Sequence, residues 1–220
     1  MFYPNRQSVG DQLAERLEPY YKDQEAIVFC LKESGLLSCI ELAAQLHGYV
    51  YIMQYETVDD PYVITRKLGA VTQTGNFVLN PEITQSEYEY ITMNFASVVE
   101  EGKRVAFSKI NAKQDPNPNF DKQIFNDRHI FLTSDILRDS FQIQIALDIL
   151  KPYKPRSVSG AVGNITSNVS DKFHIDTDGV TYLDVLPNSI FDDAHYFDQP
   201  DQYSDEQKIQ LANNVSLYWA

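Results

Sequence analysis

The stretch Ala26-Ile27-Val28-Phe29-Cys30-Leu31 is an unbroken apolar run, with charge before it and Lys32-Glu33-Ser34-Gly35 after it. A run this short and this apolar predicts a strand buried on both faces, as parallel sheets require. A helix is expected over residues 36–47, with Ile40, Leu42, Ala43 and Leu46 as its apolar members and Gly48 as its stop. Tyr49-Val50-Tyr51-Ile52-Met53 then reads as the next strand. Strand, helix and strand in close succession mean a parallel sheet joined by crossover helices.

The pattern extends in both directions. Residues 7–21 put Val9, Leu13, Ala14 and Leu17 on one helical face, with Ser8 as the expected N-cap. Further on, His129-Ile130-Phe131-Leu132-Thr133 predicts a strand, residues 134–140 a turn, and residues 141–150 a helix ended by Pro152 and Pro155. More strands are expected at 157–162 and 180–183, and Ser204-Asp205-Glu206 caps a last helix. The middle differs. Strands at 68–73 and 76–79 flank a Thr74-Gly75 hairpin turn, and a helix over 84–101 is expected to stop at Gly102. Residues 108–123 carry Asp115-Pro116-Asn117-Pro118 and little apolar content, which predicts an exposed, mobile loop. The expectation is one α/β domain over 1–220, a parallel sheet flanked by helices on both faces. A small hood or flap would be built from 54–125 and the C-terminal segment.

Charge and composition narrow the partners. Asp and Glu number 31 against 18 Lys and Arg, a formal charge of −13, and no basic run longer than Arg66-Lys67 or Lys103-Arg104 stands out. Such a chain is repelled by a phosphate backbone, so nucleic acid is not an expected partner. Cys30 and Cys39 read as free buried thiols of a reducing compartment. No apolar run approaches the ~18 residues of a membrane span, and the first residues lack a signal pattern, so no membrane contact and a cytoplasmic location are expected. No nucleophile-elbow, zinc-protease or P-loop motif occurs. His174-x-Asp176-x-Asp178-Gly179 lacks the spacing of a calcium loop and reads as a solvated acidic turn, and no metal site is expected there. Asp59-Asp60 and Asp192-Asp193 read as surface pairs, and Arg6 and Arg66-Lys67 as surface or helix-linked cations.

In open parallel sheets, ligands bind beyond the carboxyl ends of strands. That singles out residues 32–36 and 134–142. Around them the sequence resembles the type I phosphoribosyltransferases. The opening Tyr3-x-Asn5-Arg6-x-x-Val9-Gly10-x-x-Leu13-Ala14-x-x-Leu17 is similar to the aromatic-x-Asp-Arg-x-x-Ala-Gly-x-x-Leu-Ala-x-x-Leu start of one branch. Leu68-Gly69-Ala70-Val71 looks like its Ile-Gly-Ala-Val stretch, and Gln202-Tyr203-Ser204-Asp205-Glu206 is similar to its ending. The resemblance implies a scaffold that holds phosphoribosyl pyrophosphate (PRPP). Two acids at a strand end would hold the ribose hydroxyls, and a Thr- and Gly-rich turn would cradle the phosphate at a helix N-terminus.

Both anion loops depart from that pattern. Asp135 matches the second acid, but Ser134 replaces the first, and Arg138-Asp139-Ser140 stands where Thr-Thr-Gly or Ala-Thr-Gly is expected. In the pyrophosphate loop Lys32, Ser34 and Gly35 suit an anion, and Glu33 does not. Like charges at 4 Å repel by about 1 kcal/mol in water and about 4 at an effective dielectric of 20. The first reading is therefore a member of this scaffold with little or no transferase activity, a binding or regulatory module for PRPP or another phosphorylated small molecule. The second is a working Mg²⁺-dependent transferase, with Asp135 on the ribose and Arg138, Ser140 and Lys32 on phosphates, and Lys67 facing the pocket. A third is a protein-interaction domain using the Tyr-rich surface. Cofactors are unassigned except for Mg²⁺ in the active case, and the acceptor is open.

Overall fold

The computed structural model describes residues 2–118, 120–187, 192–199 and 201–218. Helix α1 (Gln7–Tyr21) buries Val9, Leu13, Ala14 and Leu17, the stripe its periodicity requires. Its cap is not Ser8: Asn5 Oδ1 accepts from the Ser8 N–H at 2.9 Å. Strand β1 (Ile27–Cys30) is buried along its whole length, and helix α2 (Leu36–Leu46) leads to β2 (Tyr49–Ile52). His47, not Gly48, takes the left-handed φ of +56° that ends α2. Gly48 serves close approach instead, because a Cβ there would lie 2.5 Å from the Ala26 carbonyl oxygen.

The middle of the chain builds a separate compact unit from Gln54–Asp115 together with Gln144–Lys151. The C-terminal segment, expected in the hood, belongs instead to the other unit, with the main sheet. Strands β3 (Tyr55–Asp59), β4 (Lys67–Thr72) and β5 (Phe77–Leu79) pair antiparallel in that order. The β4–β5 hairpin turns at Gly75, with φ +84°, as the Thr74-Gly75 pair predicts. Strand β3 was not legible: Tyr55-Glu56-Thr57-Val58-Asp59 buries only Val58. Helix α3 (Gln85–Ala112) opens on a capping box in which Thr84 and Glu87 satisfy each other's backbone N–H groups. It passes through Gly102, the expected stop, and claims residues 108–112 from the expected loop. The absent side chain at Gly102 admits β3, since a Cβ would stand 2.9 Å from Val58 Cγ1.

The main sheet resumes with β6 (His129–Leu137), followed by α4 (Phe141–Leu150), β7 (Ser157–Ile165), α5 (Ser167–Asp176), β8 (Val180–Val185) and α6 (Asp205–Tyr218). All five strands are parallel, in the order β2-β1-β6-β7-β8. Ile27 to Phe29 pair in register with Ile130 to Leu132, as the two apolar runs predict. One face packs Val28, Cys30, Phe131 and Ala161 against Val9, Leu13, Leu42 and Ala212 from α1, α2 and α6. On the other face Gly160 lets α5 approach, a Cβ there meeting Phe173 at 2.8 Å. Strand β6 contradicts the expected turn at 134–140, for it continues to Leu137 and is buried from Ile130 onward. Helix α5 was missed because its residues are mostly polar and only Val169, Ser170 and Phe173 are buried. Cys30 and Cys39 are free and buried. Among the described residues no helix is long and apolar enough to cross a membrane.

Candidate functional site

The chain steps from β1 outward to β2 and then back past β1 to β6, so the order reverses between β1 and β6. A crevice beyond the carboxyl ends of two such strands is where open α/β sheets bind ligands. Lys32 and the 3-10 turn Glu33–Gly35 follow β1 there, and Ser134, Asp135 and Arg138-Asp139-Ser140 lie on or just past β6. The structure thus brings both sequence-singled loops to one place. Lys67 lies in the other compact unit, exposed on β4 and paired with Asp59.

Asp135 is buried, and its carboxylate is engaged on both oxygens. Oδ1 accepts from the Ile136 N–H at 2.8 Å, and Oδ2 is paired with the Arg6 guanidinium. Arg6 also reaches Asp201 at 3.0 Å through Nε and lies 4.3 Å above the Phe197 ring. Ser134, where the first acid is expected, donates its hydroxyl to the Ile136 carbonyl at 3.0 Å. Where the resemblance implies two acids, this strand end presents one, already held by a cation. The Gly35 turn closes the same spot from the other side, for a Cβ on Gly35 would stand 2.8 Å from Asp135 Oδ1. Glu33 and Ser34 point outward and are exposed.

The cations beyond the strands are also matched from within. Arg138 Nε donates to Asp193 Oδ1 at 2.8 Å, and Lys32 Nζ stands 3.8 Å from Asp193 Oδ2. Burial pulls the Lys32 ammonium below its usual pKa, against the opposing pull of Asp193 and Asp139. Lys208 of α6 donates to Asp201 at 2.7 Å. Nearby, the Tyr3 hydroxyl donates to Asn164 Oδ1 at 2.7 Å, and burial raises its pKa.

Asp139 plays the part an anion would take at the start of α4: its Oδ1 accepts from the Phe141 N–H at 2.9 Å. Asp139→Ala is therefore expected to cost about 0.5–2 kcal/mol of stability, measured by urea denaturation. An unchanged midpoint would mean the contact contributes nothing.

Sequence reasoning missed Arg6, Asp193, Asp201 and Lys208. Asp193 reads locally as half of a surface acid pair, yet it joins two cations of the site. Asp60, the other misread acid, is buried and held by Arg66 at 2.7 Å. In the suspected acidic turn, Asp176 pairs with Lys172 at 2.8 Å and Asp178 accepts from the Val158 N–H at 2.8 Å. Only the opening motif carried a signal for Arg6, and nothing local marks the acids.

The chain is similar to TT1426 from Thermus thermophilus, with a TM-score of 0.75 at 21% identity over 100% of both chains. A hypothetical protein from Neisseria gonorrhoeae with bound ppGpp aligns at a TM-score of 0.48 and 12% identity, over 100% of this chain and 96% of that one. A Staphylococcus aureus hypoxanthine phosphoribosyltransferase aligns at 0.46 and 14% identity, over 83% and 73%. The fold likeness rests on the first of these. No family model matches the chain, and no curated protein matches it. With its five-stranded parallel sheet reversing order beside β1, helices on both faces of that sheet and a separate three-stranded antiparallel sheet, the chain has an α/β fold that it shares with TT1426.

Proposed function

We propose that the protein is a binding or regulatory module on a phosphoribosyltransferase-like scaffold, with little or no transferase activity. One observation carries this reading: the groups at the ends of β1 and β6 that would hold an anionic ligand are already matched by carboxylates of the chain itself. Asp135 is tied to Arg6, Asp193 to Lys32 and Arg138, and Asp139 to the first N–H of α4. An entering PRPP would have to displace these contacts, and each carboxylate left behind would repel its phosphates. The ligand class that suits Lys32 and Arg138 is a phosphorylated small molecule.

Calorimetric titration of PRPP with Mg²⁺ into the protein tests the reading. Binding no tighter than about millimolar, worth about −4 kcal/mol, is expected. Micromolar binding that Arg138→Ala abolishes would overturn it in favour of a working transferase.

A further inference from the structure

The carboxylate of Asp193 receives cations from two different loops. Arg138, after β6, donates from Nε to Oδ1 at 2.8 Å, and Lys32, after β1, stands 3.8 Å from Oδ2. Lys32 is steadied by donating to the Ile136 carbonyl at 3.3 Å, and the Arg138 guanidinium lies 5.5 Å from the centre of the Tyr196 ring. The side chains of Lys32, Arg138 and Asp193 are 22%, 25% and 28% exposed, so a dissolved anion can reach them.

Asp193 is not needed to shape its own turn. The cap of the 3-10 turn Asp193–Tyr196 is Asp192, whose Oδ1 accepts from the Ala194 N–H at 3.4 Å. The turn is fixed separately, through the Tyr3 N–H to the Tyr196 carbonyl at 2.8 Å and the Asp198 N–H to the Tyr3 carbonyl at 3.0 Å. The carboxylate is therefore held over the two cations by backbone contacts made elsewhere.

We propose that Asp193 is a built-in competitor that keeps the Lys32–Arg138 recess closed to multiply charged anions. This rests on the reading of the site as an anion-binding scaffold filled from within, and it names what regulates entry. A tethered group competes at an effective concentration of about millimolar for short links. Only an anion that engages both cations, with the forked donors of Arg138 giving two parallel bonds, outcompetes it. A phosphoryl or pyrophosphoryl group meets that requirement, and a lone carboxylate or chloride does not.

Inorganic pyrophosphate, titrated by calorimetry at low salt without metal, is the probe. Asp193→Asn and Asp193→Ala are each expected to bind it at least about tenfold more tightly than the unaltered protein, a gain of ~1.4 kcal/mol. Adding Arg138→Ala to Asp193→Asn is expected to remove the gain, with thermal unfolding confirming that each variant is folded. A gain that survives the loss of Arg138 overturns the proposal. Weak binding by the unaltered protein with no gain in either folded Asp193 variant also overturns it, while leaving the proposed function standing. Transferase turnover by the unaltered protein would instead overturn the proposed function, and a gain in the Asp193 variants would uphold the competitor even then.

Discussion

Arg6→Ala is expected to destabilise the protein by about 3–5 kcal/mol, the range for leaving one partner of a buried pair alone. Asp135 is 1% exposed and Arg6 12%, so the pair is largely removed from water. The Ile136 N–H would still serve one carboxylate oxygen, and the other would face no cation. Lost packing adds to the effect, since Arg6 also covers the Phe197 ring and reaches Asp201. The double variant Arg6→Ala/Asp135→Asn is expected to recover a substantial part of the loss, because the uncompensated charge is gone. Urea denaturation of both variants measures these effects. A loss within the ~1 kcal/mol of an exposed pair, with no recovery in the double variant, would mean that the pair does not hold this end of the sheet.

The same pair shows why part of the site was illegible. The strands at 27–30, 49–52 and 129–133 could be read because continuous apolar runs are local signals, and the pairing of Ile27 with Ile130 followed from them. Thr133-Ser134-Asp135 carries the opposite local signal: polarity that ordinarily marks a turn. It remains strand because Arg6, far away in sequence, and the backbone of Ile136 satisfy the polar groups. Gly102 misled for a related reason, as its missing side chain serves the approach of Val58 and not a helix end. Asp193 and Asp201 sit among other polar residues, and no window of sequence around them reports the cations they meet. Local polarity states that a group needs a partner, whereas the fold decides whether water or a distant side chain supplies it.

Residues 116–125 offer the second large effect, because they fall mostly within the stretch whose composition predicts a mobile loop. The Pro and Asn content is real, but Asn117 uses both ends of its side chain on β2. Its Oδ1 accepts from the Ile52 N–H and its Nδ2 donates to the Ile52 carbonyl, each at 2.8 Å. That treats an edge strand as another strand would, and satisfies backbone groups that burial would otherwise leave unpaired. Further along, the 3-10 turn Lys122–Phe125 drives Phe125 into the sheet, where it is fully buried. Its ring centre lies 5.0 Å from that of Tyr51, 5.2 Å from Tyr153, 5.3 Å from Phe120 and 5.9 Å from Phe29. Deleting such a ring removes its transfer free energy and leaves a cavity that aromatic neighbours fill poorly, so Phe125→Ala is expected to cost about 3–5 kcal/mol. Equilibrium unfolding in urea decides the matter. A change within about 0.5 kcal/mol, the ordinary range for an exposed position, would mean that this stretch is the mobile loop its composition suggests and does not cover the sheet.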